Sequence, residues 1–309
     1  MKLMMPICES HWGQVPARVA GACALAAVLT LSACGGGGGA PSPAPNQAPT
    51  AVAKLSGEAV LAAVTTFDTS GTTDADGSIA TRSWNYGDGQ SGSADSHSYT
   101  RAGSYTATLT VTDNLGATAS ASVPVTVTKC SAAGTAAALL SPQPTLCVQT
   151  SRGEMVFEVF PVQAPITVAN FLKYVDDGFY AGTLFHRVIA GFVAQAGGFI
   201  AGPTAKAATY APIVLESNNG LKNWQYTLAM ARTSVPDSAT SQFYINLLDN
   251  HGLDYSASVA GANGYAVFGQ VISGTALVDA LGTVATGTAA GMTDVPVQDI
   301  TIRSMVRLP

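Results

Sequence analysis

Charged residues are scarce in this chain of 309 residues: they make up 11% of it, with 14 Lys and Arg against 19 Asp and Glu. A net charge of −5 and so few basic residues argue against nucleic acid as a partner. Aromatic residues are also few, at 7%, and no apolar stretch reaches the roughly 18–20 residues of a membrane-spanning helix. Ala, Gly and Thr are abundant instead. The apolar share of 47% excludes a wholly disordered chain, and this composition favours β-strands of small residues.

The longest apolar stretch, residues 19–33, follows Lys2 and Arg18 and has the form of a secretory leader. It ends in Leu-Ser-Ala-Cys at residues 31–34, followed by five glycines, which resembles a bacterial lipobox. The resemblance implies that residues 1–33 are removed and that Cys34 carries acyl chains that anchor the protein to a membrane. Residue 35 is not Asp, so the resemblance favours the outer membrane of the bacterial envelope, on its periplasmic or surface side. The alternative is an ordinary secreted protein in which Cys34 is incidental.

Cysteine is rare, and its distribution is informative. Two of the five cysteines leave with the leader and Cys34 is the predicted anchor, so Cys130 and Cys147 remain. Two cysteines in an exported protein are a disulfide candidate, the alternative being two free, buried thiols. A zinc site is not expected, because neither cysteine has a second ligand at close spacing.

Residues 34–49 are nearly all Gly, Pro, Ala and Ser, which predicts a tether. Residues 50–128 then show strict alternation of apolar and hydroxyl side chains, notably over residues 105–112, and turn signals typical of a β-sandwich. This segment resembles the polycystic-kidney-disease (PKD) repeat through FD at 67–68, DADG at 74–77, WNYGDG at 84–89, HSY at 97–99, GSY at 103–105 and VTD at 111–113.

The resemblance implies an extracellular, immunoglobulin-like spacer or a module that binds protein or glycan. Asp74 and Asp76 have the spacing of calcium-loop ligands, but the remaining ligands of such a loop are absent. A solvated turn whose carboxylates accept backbone amides is the favoured interpretation.

Residues 129–145 are rich in Ala, Ser and Pro and predict a second linker. Residues 146–309 combine many strand-like runs with two helical patterns, one over residues 167–177 closed by Gly178 and one near residues 275–281. Two helices and many strands in such a segment suit a barrel with helices at its ends.

Four motifs in this segment are similar to those of the cyclophilins, the peptidyl-prolyl cis-trans isomerases, and above all to the short periplasmic cyclophilins of Gram-negative bacteria. They are FHRVIAGFVAQAGG at 185–198, LAMAR at 228–232, DSATSQFYIN at 237–246 and GYAVFG at 264–269. The resemblance implies a mainly β fold, with a closed eight-stranded barrel and two helices following the PKD-like sandwich.

The resemblance also implies the site and its partner, a proline-containing polypeptide segment of an envelope protein. Arg187 matches the catalytic arginine, which would stabilise the twisted prolyl amide, and His186 is interpreted as structural. No cofactor and no metal are expected, because rotating an amide breaks no bond. The substrate-binding positions are Phe192, Val193, Tyr244 and Leu253 as pocket walls, Gln195 and Gln242 as amides for the substrate backbone, Ala231 and Arg232 beside the preceding residue, and Tyr265 where many relatives have His.

Three departures from the family pattern leave a second function open. Tyr244 stands where Phe is usual and adds a hydroxyl that needs a partner if buried. Gly252 stands where Trp or Phe is usual, so a pocket wall is lost unless His251 replaces it, and Tyr226 replaces a usual Gly. The alternative to an active isomerase is therefore a displayed module that binds proline-containing segments with little catalysis.

Overall fold

The computed structural model describes residues 42–259 and 263–309, so the leader and Cys34 lie outside the described residues. Among the residues predicted as a tether, 46–49 are held on the first module. The side-chain amide of Asn46 donates to Asp113 over 2.8 Å, and the backbone N–H of Gln47 donates to Asp76 over 3.0 Å. Within the described ranges, no helix has the length and apolar character needed to cross a membrane.

The first module consists of two facing sheets. One has the strand order β1-β3-β6 and the other β2-β8-β7-β4-β5, in which β2 runs parallel to β8. Their shared core holds Trp84, Tyr99 and Leu109, and β7 alternates buried and half-buried residues as the period-2 pattern predicts. The strands are β1 Lys54–Ser56, β2 Ala59–Val60, β3 Thr65–Asp68, β4 Ile79–Asn85, β5 Ser91–Gly92, β6 Ser96–His97, β7 Gly103–Asp113 and β8 Thr118–Thr128.

In the acidic turn at residues 74–77, a backbone amide pairs with only one of the carboxylates at 74 and 76. Asp76 accepts the Gln47 N–H, as the turn interpretation expects. Both carboxylate oxygens of Asp74 are enclosed and accept no hydrogen bond from the described residues. The turn interpretation therefore accounts for Asp76 and not for Asp74.

The predicted linker at 129–145 contains a helix, α1 Ala132–Leu140, which composition did not predict. Ala is the strongest helix former, and the Ser131 hydroxyl caps the helix by accepting the Gly134 N–H at 3.0 Å. Ala138 packs against the second module in a small cluster with Cys130, Cys147 and Val156. The segment is thus built into the fold.

A disulfide joins Cys130 to Cys147 across this connection, with the two Cα atoms 5.7 Å apart. These sulfurs and Glu154 form a group of potential metal ligands, but the sulfurs are bonded to each other. The Glu154 carboxylate accepts the Ser131 hydroxyl at 2.6 Å and the Gln149 side-chain amide at 2.5 Å. The disulfide and the Glu154 hydrogen bonds therefore fasten the connecting segment to the second module.

The second module is the expected barrel, nearly closed. Eight strands follow the order β11-β12-β15-β14-β16-β10-β9-β19. The two end strands meet through single backbone bonds, from Gly182 N–H to Ile302 (2.8 Å) and from Phe185 N–H to Ile300 (2.9 Å), rather than through a regular ladder. The strands are β9 Thr145–Thr150, β10 Gly153–Val159, β11 Thr183–Val188, β12 Val193–Ile200, β13 Thr204–Ala205, β14 Thr227–Met230, β15 Phe243–Asn246, β16 Val267–Ser273, β17 Thr286–Ala289, β18 Met292–Pro296 and β19 Ile302–Arg307. Of these, β13 pairs with β12, and β17 and β18 form a separate hairpin.

Two helices, α2 Pro165–Asp176 and α3 Thr275–Leu281, bury their apolar faces in the barrel core. Pro165 begins α2, and the carboxylate of Glu216 accepts the N–H groups of Ile166 and Thr167 at 3.1 and 2.7 Å. Glu216 thus supplies the cap that Ala164 cannot. The mainly β fold class expected from the sequence is confirmed.

Candidate active site

One cavity of about 140 Å³ brings together nine of the ten positions that the sequence singles out. Strands β11, β12, β14 and β15 contribute residues from within or next to them, because these strands are adjacent in the barrel sheet. Leu253 of the short 3-10 helix His251–Leu253 and Tyr265, just before β16, complete the lining. The lining residues are Arg187, Phe192, Val193, Gln195, Ala231, Arg232, Tyr244, Leu253 and Tyr265. Gln242, the tenth, lines the two neighbouring cavities instead.

Arg187 lies on β11 directly opposite Gln195 of β12, next to an irregularity in the strand register. Its side chain is 40% exposed, and among the described residues its guanidinium donates no hydrogen bond. The nearest carboxylate is that of Asp294 in the β17–β18 hairpin, 3.9 Å from Nε. The guanidinium donors therefore face the cavity unoccupied.

The two glutamines form one amide pair beside Arg187. The side-chain amide of Gln195 donates to the side-chain oxygen of Gln242 over 2.9 Å. Gly198 makes room for this pair, because a Cβ there would lie 2.5 Å from Nε2 of Gln242. The oxygen of Gln195 and the amide hydrogens of Gln242 are left for a peptide backbone.

The floor of the cavity is Tyr244, which is 4% exposed. Its hydroxyl donates to the side-chain oxygen of Asn223 over 2.9 Å, so the buried hydroxyl has the partner that it needs. Burial raises the pKa of Tyr244 well above 10, which keeps the phenol neutral. The floor presents an aromatic face, and Tyr265 meets it edge-on at 5.8 Å between ring centroids.

Arg232 is held in place by backbone oxygens. Its Nε and Nη2 donate to the carbonyl of Gly264 at 3.0 and 2.8 Å, and Nη1 donates to Thr233 O at 2.8 Å. The guanidinium also lies 4.5 Å from the centre of the Tyr265 ring. Arg232 thus acts as a rigid wall, unlike Arg187.

Gly252 supplies no side chain to the cavity and is not among its lining residues. His251 is 59% exposed, lies edge-on against Trp224 at 4.7 Å, and does not line the cavity. A Cβ at Gly252 would meet no heavy atom of the described residues within 4 Å. His251 therefore does not replace the aromatic wall.

His186 is buried behind the site and packs against Phe199 at 4.4 Å. Burial lowers its pKa to about 4, so the imidazole is neutral at physiological pH. Sequence reasoning missed two polar residues of the site, Asn223 below Tyr244 and Asp294 beside Arg187. Neither lies in a motif that the resemblance carries, and both reach the site only through the tertiary fold.

The comparisons with known proteins assign a family to each of the two modules. Residues 145–307 match the family described as "Cyclophilin type peptidyl-prolyl cis-trans isomerase/CLD". The chain belongs to the cyclophilin-type peptidyl-prolyl cis-trans isomerases. The family carries the enzyme activity of isomerising peptide bonds that precede proline, and the match spans the barrel. Residues 46–128 match the PKD domain, as the sequence pattern of the first module predicts.

Individual cyclophilin relatives match only the barrel half of the chain. Peptidyl-prolyl cis-trans isomerase cyp18 of Streptomyces antibioticus is 49% identical over 52% of this chain and 96% of its own length. Peptidyl-prolyl cis-trans isomerase B of Escherichia coli is 49% identical over 50% of this chain and 94% of its own length. A solved cyclophilin of Cryptosporidium parvum covers 54% of this chain and 98% of its own, with 26% identity and a TM-score of 0.47.

Proposed function

We propose that this cyclophilin accelerates cis-trans isomerisation of X–Pro bonds in exported polypeptides, with Arg187 stabilising the twisted prolyl amide. One observation carries the proposal: a single cavity places the free donors of Arg187 beside an apolar floor and walls of proline size. The amide pair of Gln195 and Gln242 next to it is suited to a substrate backbone.

Isomerisation of an X–Pro bond breaks no covalent bond, but it requires a hydrogen-bond donor at a defined position. Rotation of the amide has a barrier of about 18–20 kcal/mol, because resonance is lost when the bond twists. The prolyl nitrogen then regains a lone pair that accepts a hydrogen bond. A guanidinium that donates to this nitrogen binds the twisted state more strongly than the planar amide, which lowers the barrier.

The remaining lining residues hold the proline ring. Phe192, Val193, Tyr244 and Leu253 form the apolar surface, and Val193 and Tyr244 are almost fully buried. Removing water from the ring and from the guanidinium strengthens the hydrogen bond from Arg187. The fixed Arg232–Tyr265 pair preserves the shape of the pocket while the substrate turns.

The cellular setting of the proposal rests on the sequence of the leader and on the disulfide. The leader and the lipobox-like residues 31–34 support export and a lipid anchor at Cys34. The disulfide between Cys130 and Cys147 fits an oxidising compartment. The proposed substrates are therefore envelope proteins, with the PKD module as a spacer or a binder of protein or glycan. Incorporation of labelled fatty acid that persists in Cys34→Ser would contradict the anchor.

The test is the cis-to-trans relaxation rate of a short alanine-proline peptide with the full chain and two variants. We expect Arg187→Ala to lower kcat/KM by about a hundredfold or more, because a donor that acts only in the transition state is lost. Arg101→Ala removes an exposed arginine of the first module and is the matched control. An unchanged rate in Arg187→Ala overturns the assignment.

The absence of an aromatic side chain at Gly252 favours a second candidate, a module that binds proline segments and catalyses weakly. It predicts measurable peptide binding by the wild-type chain with a relaxation rate close to the uncatalysed one. Binding and turnover measured on the same peptide separate the two functions.

A further inference from the structure

We propose that Asn223 is a positioning residue of the proline pocket, which ties the floor residue Tyr244 and the Leu253 wall into one unit. The inference rests on the proposed function, since it concerns the site in which a proline segment binds. Asn223 is 1% exposed and does not line the cavity. Its effect is therefore exerted through its neighbours.

The side-chain oxygen of Asn223 holds Tyr244, the floor of the pocket. It accepts the Tyr244 hydroxyl at 2.9 Å and the side-chain amide of Asn246 at 3.2 Å. Asn246 is itself bonded to Thr227 Oγ1 at 2.9 Å and accepts the Asn250 amide at 2.7 Å. Both lone pairs of the Asn223 oxygen are used, so the ring of Tyr244 is fixed from below.

The nitrogens of Asn223 serve the wall. Its backbone N–H and its side-chain amide donate to Oδ1 of Asp254 at 2.8 and 3.1 Å, and its carbonyl accepts the Asn250 N–H at 2.7 Å. These bonds hold both ends of the turn that carries Leu253. The carbonyl of Leu253 accepts the Tyr265 N–H at 3.0 Å, so a third lining residue depends on the same turn.

Other bonds also reach this turn: the Asn250 side-chain amide donates to Phe192 O at 2.8 Å and to Asn246 Oδ1 at 2.7 Å. None of the residues of its 3-10 helix is buried, and Gly252 offers no side chain to pack. Lys222 Nζ and His251 Nδ1 lie 3.9 and 3.6 Å from Oδ2 of Asp254, which leaves Oδ1 for Asn223. Hydrogen bonds to a carboxylate are stronger than neutral ones. Asn223 therefore holds both ends of a turn whose 3-10 helix has no buried residue.

The test compares the full wild-type chain with Asn223→Ala, Tyr244→Phe and the double variant. For each protein, calorimetry gives the Kd for a proline peptide, and the cis-to-trans relaxation rate of that peptide gives kcat. We expect Asn223→Ala to raise Kd about tenfold with kcat within about twofold, because pocket shape is lost while Arg187 remains. Tyr244→Phe should raise Kd by about twofold or less, because Asn223 keeps its other bonds. The double variant should bind no worse than Asn223→Ala, because the shared hydrogen bond is already lost.

Asn223→Ala with an unchanged Kd, or with a fall in kcat alone, would overturn the proposal. Should Asn223→Ala not fold, Asp254→Ala and Asp254→Asn provide the same test. Asparagine keeps an oxygen that accepts both Asn223 donors, so Asp254→Asn should bind peptide more tightly than Asp254→Ala, and equal Kd values contradict the proposal. A wild-type chain that binds peptide without turning it over would refute the isomerase function, while these Kd comparisons would still decide the role of Asn223.

Discussion

The carboxylate of Asp294 lies 3.9 Å from Nε of Arg187, with both side chains about two-fifths exposed. Asp294 adopts a left-handed backbone conformation with φ of 61° within the β17–β18 hairpin, so the hairpin brings a negative charge to the guanidinium. The interaction free energy of an exposed ion pair of this kind is at most about 1 kcal/mol. The pair therefore favours one position of the Arg187 side chain without fixing it.

Asp294→Asn should lower kcat/KM by about two- to fivefold, because Arg187 loses this restraint. The rate of the variant should also depend less on added salt than that of the wild type, since salt screens the pair. The measurement is the relaxation rate of a proline peptide at low and high ionic strength. Asp299→Asn, an exposed residue that removes the same charge, is the control, and an equal effect there would contradict the role of Asp294.

Gly252→Phe should fold normally and bind a proline peptide about threefold or more tighter than the wild type, because the aromatic ring adds apolar area that the peptide can bury. The position has room, since a Cβ there meets no heavy atom of the described residues within 4 Å. Gly252→Ala adds only one carbon and should give a smaller gain, which calorimetry resolves. Weaker peptide binding in the Phe variant would contradict the prediction and show that the peptide itself occupies the space beside residue 252.

Removal of the disulfide should lower the free energy of unfolding by about 3 kcal/mol, as closure of such a short loop predicts. The bond joins cysteines 17 residues apart. The measurement is denaturant unfolding of the wild type and of the Cys130→Ser, Cys147→Ser double variant. Reductant should destabilise the wild type and leave the double variant unchanged. Equal unfolding midpoints for the oxidised wild type and the variant would contradict the prediction.

His186 should make the barrel sensitive to acid. Burial depresses its folded-state pKa to about 4 from 6.5, so the unfolded chain binds the proton first as pH falls. Its stabilising contribution is complete above pH 6.5 and is lost progressively towards pH 4, by about 3 kcal/mol in total.

Urea unfolding at pH 7 and pH 4.5 checks this prediction. His186→Leu should lose less stability between the two values than the wild type does, because it has no group to protonate. His251→Ala alters an exposed histidine and should behave as the wild type. The same acid sensitivity in His186→Leu would assign the effect to other groups.

The motifs of the barrel bring nine predicted residues to one cavity, because strands that are neighbours in the sheet carry them. Asn223 and Asp294 could not be predicted in the same way. Asn223 reaches Tyr244 through a loop with no periodic pattern, and Asp294 reaches Arg187 from a hairpin late in the chain.

The helix α1 shows a different limit. Ala-rich sequence favours both helices and linkers, and composition alone does not decide between them. The deciding contacts are the Ser131 cap and the packing of Ala138 beside Cys147, which depend on where the barrel surface lies. The missing wall at Gly252 was visible in sequence, whereas the position of His251 against Trp224 was not.

The disulfide between Cys130 and Cys147 also determines the products of proteolysis between the two modules. A cut anywhere between residues 131 and 146 severs the backbone but leaves the PKD module and the isomerase covalently attached. Such a nicked molecule would migrate as one species on a denaturing gel and as two fragments once reduced. Under oxidising conditions, cleavage between these two cysteines would not release the enzyme from its first module.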